Sequence, residues 1–293
     1  MTPLALALVL AAAVCHASWN LVAKKAGGGS AIMLVTSLLT VVLWAPVAAW
    51  VGLSVLGDWG VAEWAALVGS AMVHVVYYRA LLHGYAVSDL SVVYPVARGS
   101  GPLLSACAAT VVLGETWSLV GVTGALAVVS GVFLIAGGPG LWRQAHDRAQ
   151  RQRVRLGLRW GALTGIFIAA YTVIDGYAVK VLLISPILVD YVGNLLRIPV
   201  MLPFVLRERV VLRQAWRRLW PAALVVAVLG PLGYVMVLYA VSMAPLSHVA
   251  PAREVSMLFA ALAGGTLLGE ADRWLRLVGA ASIAAGVVAL ALG

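Results

Sequence analysis

A chain of 293 residues that is 63% hydrophobic and 11% charged, with mean hydropathy +1.00, has too little polar surface to be soluble; soluble domains carry about 25% charged residues. Its net charge of +9 does not mark a nucleic-acid binder, because the basic residues gather in two short segments between apolar runs, the distribution that membrane topology produces. The two cysteines, Cys15 and Cys107, lie inside apolar runs and form neither a metal-binding motif nor a disulfide framework.

Apolar runs fall at 3–22, 31–53, 63–84, 90–113, 117–136, 157–179, 186–206, 220–242, 246–268 and 274–292. Each is about one span long, since a hydrocarbon core ~30 Å thick takes about 20 helical residues. Lipid tolerates no open strand, so every run should be helical. The expected fold class is an all-α integral membrane protein with ten transmembrane helices.

The first run lacks a basic leading region, so it is read as a span and not a signal peptide. It places His16, Asn20 and Lys24 at i, i+4 and i+8, a polar stripe on one face. Trp19, Trp44, Trp59, Trp64 and Trp117 fall at span ends, where indoles anchor at the interface. Span 4 carries Arg98, about eight residues in and roughly 12 Å deep at ~1.5 Å per residue. Pro95, Gly99, Gly101 and Pro102 surround it and predict a kink or interruption. Tyr94 and Ser105 share its face. Glu115 follows the span and is expected to cap the next helix, as is Glu270 after span 9. Span 5 carries Ala127 and Gly131, and span 10 Ser282 and Gly286; small residues four apart permit close packing. They point to scaffold or subunit contact rather than cavity wall.

Residues 137–156 form a basic linker that includes Arg143, Arg148, Arg151, Arg153 and Arg155. Span 6 then carries Tyr171 and Asp175. Span 7 carries Asp190, Asn194 and Arg197 on one face, and a second basic segment runs from Arg207 to Arg218. Span 9 holds Arg253 and Glu254 beside Pro251. The basic loops follow spans 1, 5, 7 and 9, so they should be cytoplasmic and both termini outside.

The chain repeats itself. Shifted by 155 residues, Ala97-Arg98 meets Ala252-Arg253, Leu113-Gly114-Glu115 meets Leu268-Gly269-Glu270, and Gly124 and Gly131 meet Gly279 and Gly286. Residues 1–136 and 157–293 are thus two five-span halves. An odd number of spans puts the second half in the opposite sense, an inverted repeat of the kind found in secondary transporters.

His16-Ala17-Ser18-Trp19-Asn20 with Lys24 and Lys25, and the two Leu-Gly-Glu span ends, resemble the EamA-type family of the drug/metabolite transporter superfamily, over essentially the whole chain. The run from Tyr94 to Gly99 looks like a subgroup linked to phosphonate utilisation. The resemblance implies a carrier of amino acids, metabolites or drugs, often outward, in the cell membrane.

Ionisable groups inside spans cost about 2.5–3.5 kcal/mol each on insertion scales, so they usually face a cavity. The substrate-binding candidates are Arg98, Arg253, Tyr94, Ser105, Asn20, His16 and Tyr171. The candidates for ion coupling are Asp175, Asp190 and Glu254. Either the two arginines bind an anionic group of a small-molecule substrate, or a carboxylate such as Glu254 pairs them internally; the residues leave both open. Proton coupling or exchange is the expected drive, since no nucleotide-binding motif occurs, and the residues leave the two open. No cofactor or metal is expected. A membrane enzyme acting on a lipid phosphate is the alternative, but no nucleophile or metal motif supports it. A monomer suffices for two fused halves, and a homodimer stays open.

Overall fold

The computed structural model describes residues 1–26, 30–135, 148–206, 209–259 and 273–293, and is helical without strands among them. The first half contains α1 (Pro3–Ala26), α2 (Ser30–Gly52), α3 (Val61–Val87), α4 (Leu90–Val112) and α5 (Leu119–Ile135), with a short 3-10 turn at Leu56–Asp58. The second contains α6 (Arg148–Lys180), α7 (Pro186–Leu206), α8 (Arg209–Met243), α9 (Leu246–Ala252) and α10 (Arg273–Leu292). Among the described residues, five segments are long and apolar enough to cross a bilayer: Pro3–Ala23, Ile32–Gly52, Val61–Val87, Arg148–Lys180 and Trp216–Met243. Leu119–Ile135 and Leu277–Leu292 are shorter apolar helices. The chain is a multi-pass membrane protein.

Three local features depart from the sequence reading. The basic linker is helical from Arg148, and the second basic segment from Arg209. Arg, Gln, Leu and Ala are good helix formers, so each span simply extends beyond its apolar part. Span 4 is not interrupted: α4 is helical through Pro95 and Pro102. The break falls in span 9. There α9 ends at Ala252, residues 253 and 254 form a turn, and helix resumes over 255–259. Within it, Glu254 N–H bonds Pro251 O at 3.0 Å, Ser256 N–H bonds Arg253 O at 3.2 Å and Met257 N–H bonds Glu254 O at 2.8 Å, all one residue tighter than an α-helix.

The helices pair mainly across the two halves: α4 and α3 with α6, α1 and α2 with α8, α2 with α7, and α5 with α10. Glycines set two of these contacts. On α6, Gly161 lies where a Cβ would come 2.9 Å from Val93 O, and Gly165 where it would come 3.1 Å from Gly101 N, so α6 rests directly on α4. Between α5 and α10 the contact is reciprocal. A Cβ at Gly286 would stand 2.6 Å from Gly124 O, and one at Gly279 would stand 2.8 Å from Gly131 O. Ser282 Oγ donates to Ala127 O at 2.7 Å in the same seam. The small residues of these helices therefore face each other within one chain. One apolar core, including Leu188, Val128, Leu246, Val249 and Ile283, spans both halves.

Candidate functional site

A three-residue charge cluster lies where α4 meets the break in span 9. Arg98 Nη2 lies 2.8 Å from Glu254 Oε2, and Arg253 Nε lies 3.6 Å from Glu254 Oε1. Glu254 is 1% exposed, so this carboxylate is removed from solvent between two guanidinium groups. Arg98 also donates to Ser256 Oγ at 3.1 Å and meets His16 Nε2 at 3.3 Å. Arg253 Nη2 donates to Thr172 Oγ1 at 3.4 Å. The Tyr94 ring lies 5.9 Å from the Arg98 guanidinium carbon, within cation–π range.

Neither Glu254 contact has hydrogen-bond alignment, and Arg98 Nε and Arg253 Nε find no hydrogen-bond partner among the described residues. The cluster holds its charges by proximity and leaves directed donors unused. Its formal charges sum to +1: two arginines share one carboxylate. Of the two readings the sequence left open, internal pairing by Glu254 is present, yet it neutralises only one of the arginines.

A second polar group adjoins it on α3, α6, α7 and α8. Tyr234 donates its hydroxyl to Asp175 Oδ2, while Asp175 Oδ1 makes no hydrogen bond among the described residues. His74 stacks on Tyr171 with ring centroids 3.8 Å apart, and Tyr234 meets the same imidazole edge-on at 6.2 Å. His74 Nδ1 is anchored 2.9 Å from Ser70 O. Tyr77 closes against Tyr171 at 5.6 Å. On α7, Asn194 Nδ2 donates to Asp190 Oδ2 at 3.1 Å, and the Arg197 guanidinium crosses the bare face of Gly193.

Most sequence candidates therefore gather at two adjoining clusters: Arg98, Arg253, Glu254, His16 and Tyr94 in one, Tyr171, Asp175 and Asp190 in or beside the other. Ser105 stays apart. Its hydroxyl is fully buried and donates to Pro102 O on its own helix. Asn20 likewise turns its amide back to His16 O at 2.8 Å. Sequence reasoning missed Ser70, Tyr77, Tyr234, Thr172 and Ser256. Ser70, His74 and Tyr77 stand at i, i+4 and i+7 in span 3, the same stripe pattern that singled out span 1.

Glu115 does not cap α5, as expected from sequence. Ser118 Oγ does that by accepting from Gly121 N–H at 2.9 Å. Gly114, at φ +66°, turns the chain so that the Glu115 carboxylate reaches the other half. It accepts from Lys180 Nζ at 2.8 Å and from the Leu246 and Ser247 N–H groups at 2.7 and 2.8 Å. Those free amides at the start of α9 carry partial positive charge, which suits a carboxylate. Partial burial would raise the Glu115 pKa, but the Lys180 hydrogen bond and the two backbone donors outweigh it and hold the group below its ordinary value. Glu270, its counterpart in the repeat, lies outside the described residues.

The groups resemble no metal centre: among the described residues no set of three His, Cys, Asp or Glu side chains could hold an ion. No curated protein matches the chain. A solved structure, titled only "Crystal structure of protein", shares its fold with a TM-score of 0.76 at 15% identity, covering 98% of this chain and 96% of its own. Residues 155–292, the second half of the chain with Asp175, Arg253 and Glu254, match the EamA-like transporter family of the drug/metabolite transporter superfamily.

Proposed function

We propose that the protein is a secondary carrier that moves a small metabolite bearing a carboxylate or phosphonate across the cell membrane, outward, by alternating access between two inverted five-helix repeats. The observation that carries the substrate class is the cluster of Arg98, Glu254 and Arg253. Two arginines share one buried carboxylate at 2.8 and 3.6 Å, and both keep an unused Nε–H. An anionic group entering there meets two guanidinium groups with planar donors suited to bidentate binding. Tyr94, His16 and Tyr171 line this region, and Asn20 borders it. Asp175, Asp190 and Glu254 carry the coupled proton, with the Tyr234 hydroxyl holding Asp175.

The repeat reading draws support from packing. The pairs α1–α8 and α3–α6 exchange under the repeat, and α2–α7 and α5–α10 map onto themselves. Ser282 bonds Ala127, its own counterpart 155 residues away. Under this reading the basic segments face the cytoplasm and both termini lie outside.

The test is thermal stabilisation of purified protein by carboxylates, phosphonates, neutral solutes and organic cations, repeated with Arg98→Lys and Arg253→Lys. Lysine keeps the charge but loses the fork, so anion affinity should fall about tenfold or more while folding persists. Stabilisation by cations or neutral solutes alone, or unchanged anion affinity in both variants, would overturn the proposal.

A further inference from the structure

The first three turns of α6 serve none of the contacts above, although they carry Arg148, Arg151, Arg153 and Arg155. Arg148, Arg151, Gln152, Arg155, Leu156 and Arg159 line a recess of about 520 Å³, with no acidic side chain in its wall among the described residues. The four arginines are exposed. From the core end, Gly161–Lys180 is a run of 20 residues, about 30 Å of helix, which matches the hydrocarbon thickness. Trp160 precedes it, where an indole marks the interface. Arg159 and Arg155 therefore stand at headgroup level, with Arg151 and Arg148 one and two turns further out.

The face these arginines occupy is fixed by packing on the other side. Gly157 lies against the α3–α4 corner, where an added Cβ would come 2.9 Å from Val92 Cγ1, and Ser88 Oγ donates to Arg153 O at 2.9 Å. At about 100° per residue, Arg148, Arg155 and Arg159 project within about 20° of the direction opposite Gly157. The basic extension is a rigid part of the bundle whose charged stripe points away from it.

We propose that this stripe is a binding site for anionic phospholipid headgroups of the adjoining leaflet. Arg155 and Arg159 bind the phosphate, Leu156 meets the upper acyl chain, and Arg148 and Arg151 add longer-range attraction. Charge complementarity carries the assignment: a recess walled, among the described residues, by four guanidinium groups and no carboxylate, held at the membrane surface by the helix that enters it. Because α6 also carries Thr172 and Asp175, lipid binding would brace the helix on which the two polar clusters meet. The proposal is independent of what the protein transports.

The experiment uses full-length protein in neutral detergent, with the unfolding midpoint followed as phosphatidylglycerol or phosphatidylcholine is added to the micelles. Phosphatidylglycerol should raise the midpoint, phosphatidylcholine should not, and high salt should remove the difference. Neutralising Arg155 and Arg159 to Gln should weaken the apparent lipid affinity about fivefold per arginine, whereas the same two positions changed to Lys should retain it. Arg217→Gln with Arg218→Gln, two exposed charges removed from the other basic segment, should leave the response unchanged. Equal responses to the two lipids, or full retention in R155Q/R159Q, would overturn the site. Equal stabilisation by inorganic phosphate would overturn the lipid assignment in favour of a free-anion site.

Discussion

Arg98 on α4 and Arg253 at the end of α9 correspond at an offset of 155 residues in the sequence, but their neighbours diverge. After Arg98 comes Gly99, buried on a continuous helix with Val129 of α5 as its nearest neighbour. After Arg253 comes Glu254, placed by the turn at 253–254 between both arginines. A second carboxylate at position 99 would have made a neutral, self-contained set of four charges. Glycine there leaves one carboxylate for two arginines. The difference between the halves is thus what gives the cluster its excess charge.

The sharpest way to break this comparison is Glu254→Gln. Removing one partner from a buried ion cluster leaves uncompensated charge and typically costs about 3–5 kcal/mol. The expected result is a large drop in unfolding midpoint, partly restored when Arg98→Gln is added. An E254Q protein as stable as the wild type would show that the arginines draw on other partners. A smaller effect tests the symmetric part. Gly286→Ala puts a methyl group 2.6 Å from the Gly124 carbonyl oxygen, a backbone atom that cannot swing aside. Overpacking of this kind costs about 1–3 kcal/mol. Gly124→Ala meets Gly286 O at 2.9 Å and should cost a similar amount. If one glycine tolerates alanine freely and the other does not, the α5–α10 seam is less reciprocal than its geometry.

Much of this architecture was legible in the sequence because lipid narrows the alternatives. Apolar run length pointed to an all-helical, multi-pass chain, while the division into halves rests on sequence matches, of which Leu268-Gly269-Glu270 lies outside the described residues. The partner of the arginines was named correctly as one of two readings, since Glu254 is adjacent in sequence to one of them. Other features needed the packed chain. Pro95 and Pro102 suggested a break in α4, but neighbouring helices hold that helix through them. The actual break lies beside one proline, Pro251, where the sequence signal was weaker. Tyr234 is 59 residues from Asp175, and no spacing rule links residues on different helices. Glu115 misled for the same reason. Helix-capping rules look to the next few residues, whereas its amide donors are 131 and 132 residues away.

Glu115 offers the gentlest perturbation, and its pH dependence has a definite sign. The two compared helices begin differently: α4 starts after Asp89 with no side-chain cap, while the first amides of α9 are held by Glu115 from the far half. Because the folded-state pKa of Glu115 lies below its unfolded value, its contribution is fully present above the unfolded value near pH 4.5. It is lost as pH falls through the folded value, when the carboxylate takes up a proton and releases Lys180 and the α9 amides. Glu115→Gln should therefore lower the unfolding free energy by about 1–2 kcal/mol near neutral pH, the scale of a charge-assisted bond at a helix end. Wild type and variant should converge on acidification. A destabilisation that persists undiminished in acid would mean that Glu115 acts by shape, and that its charge does not hold the start of α9.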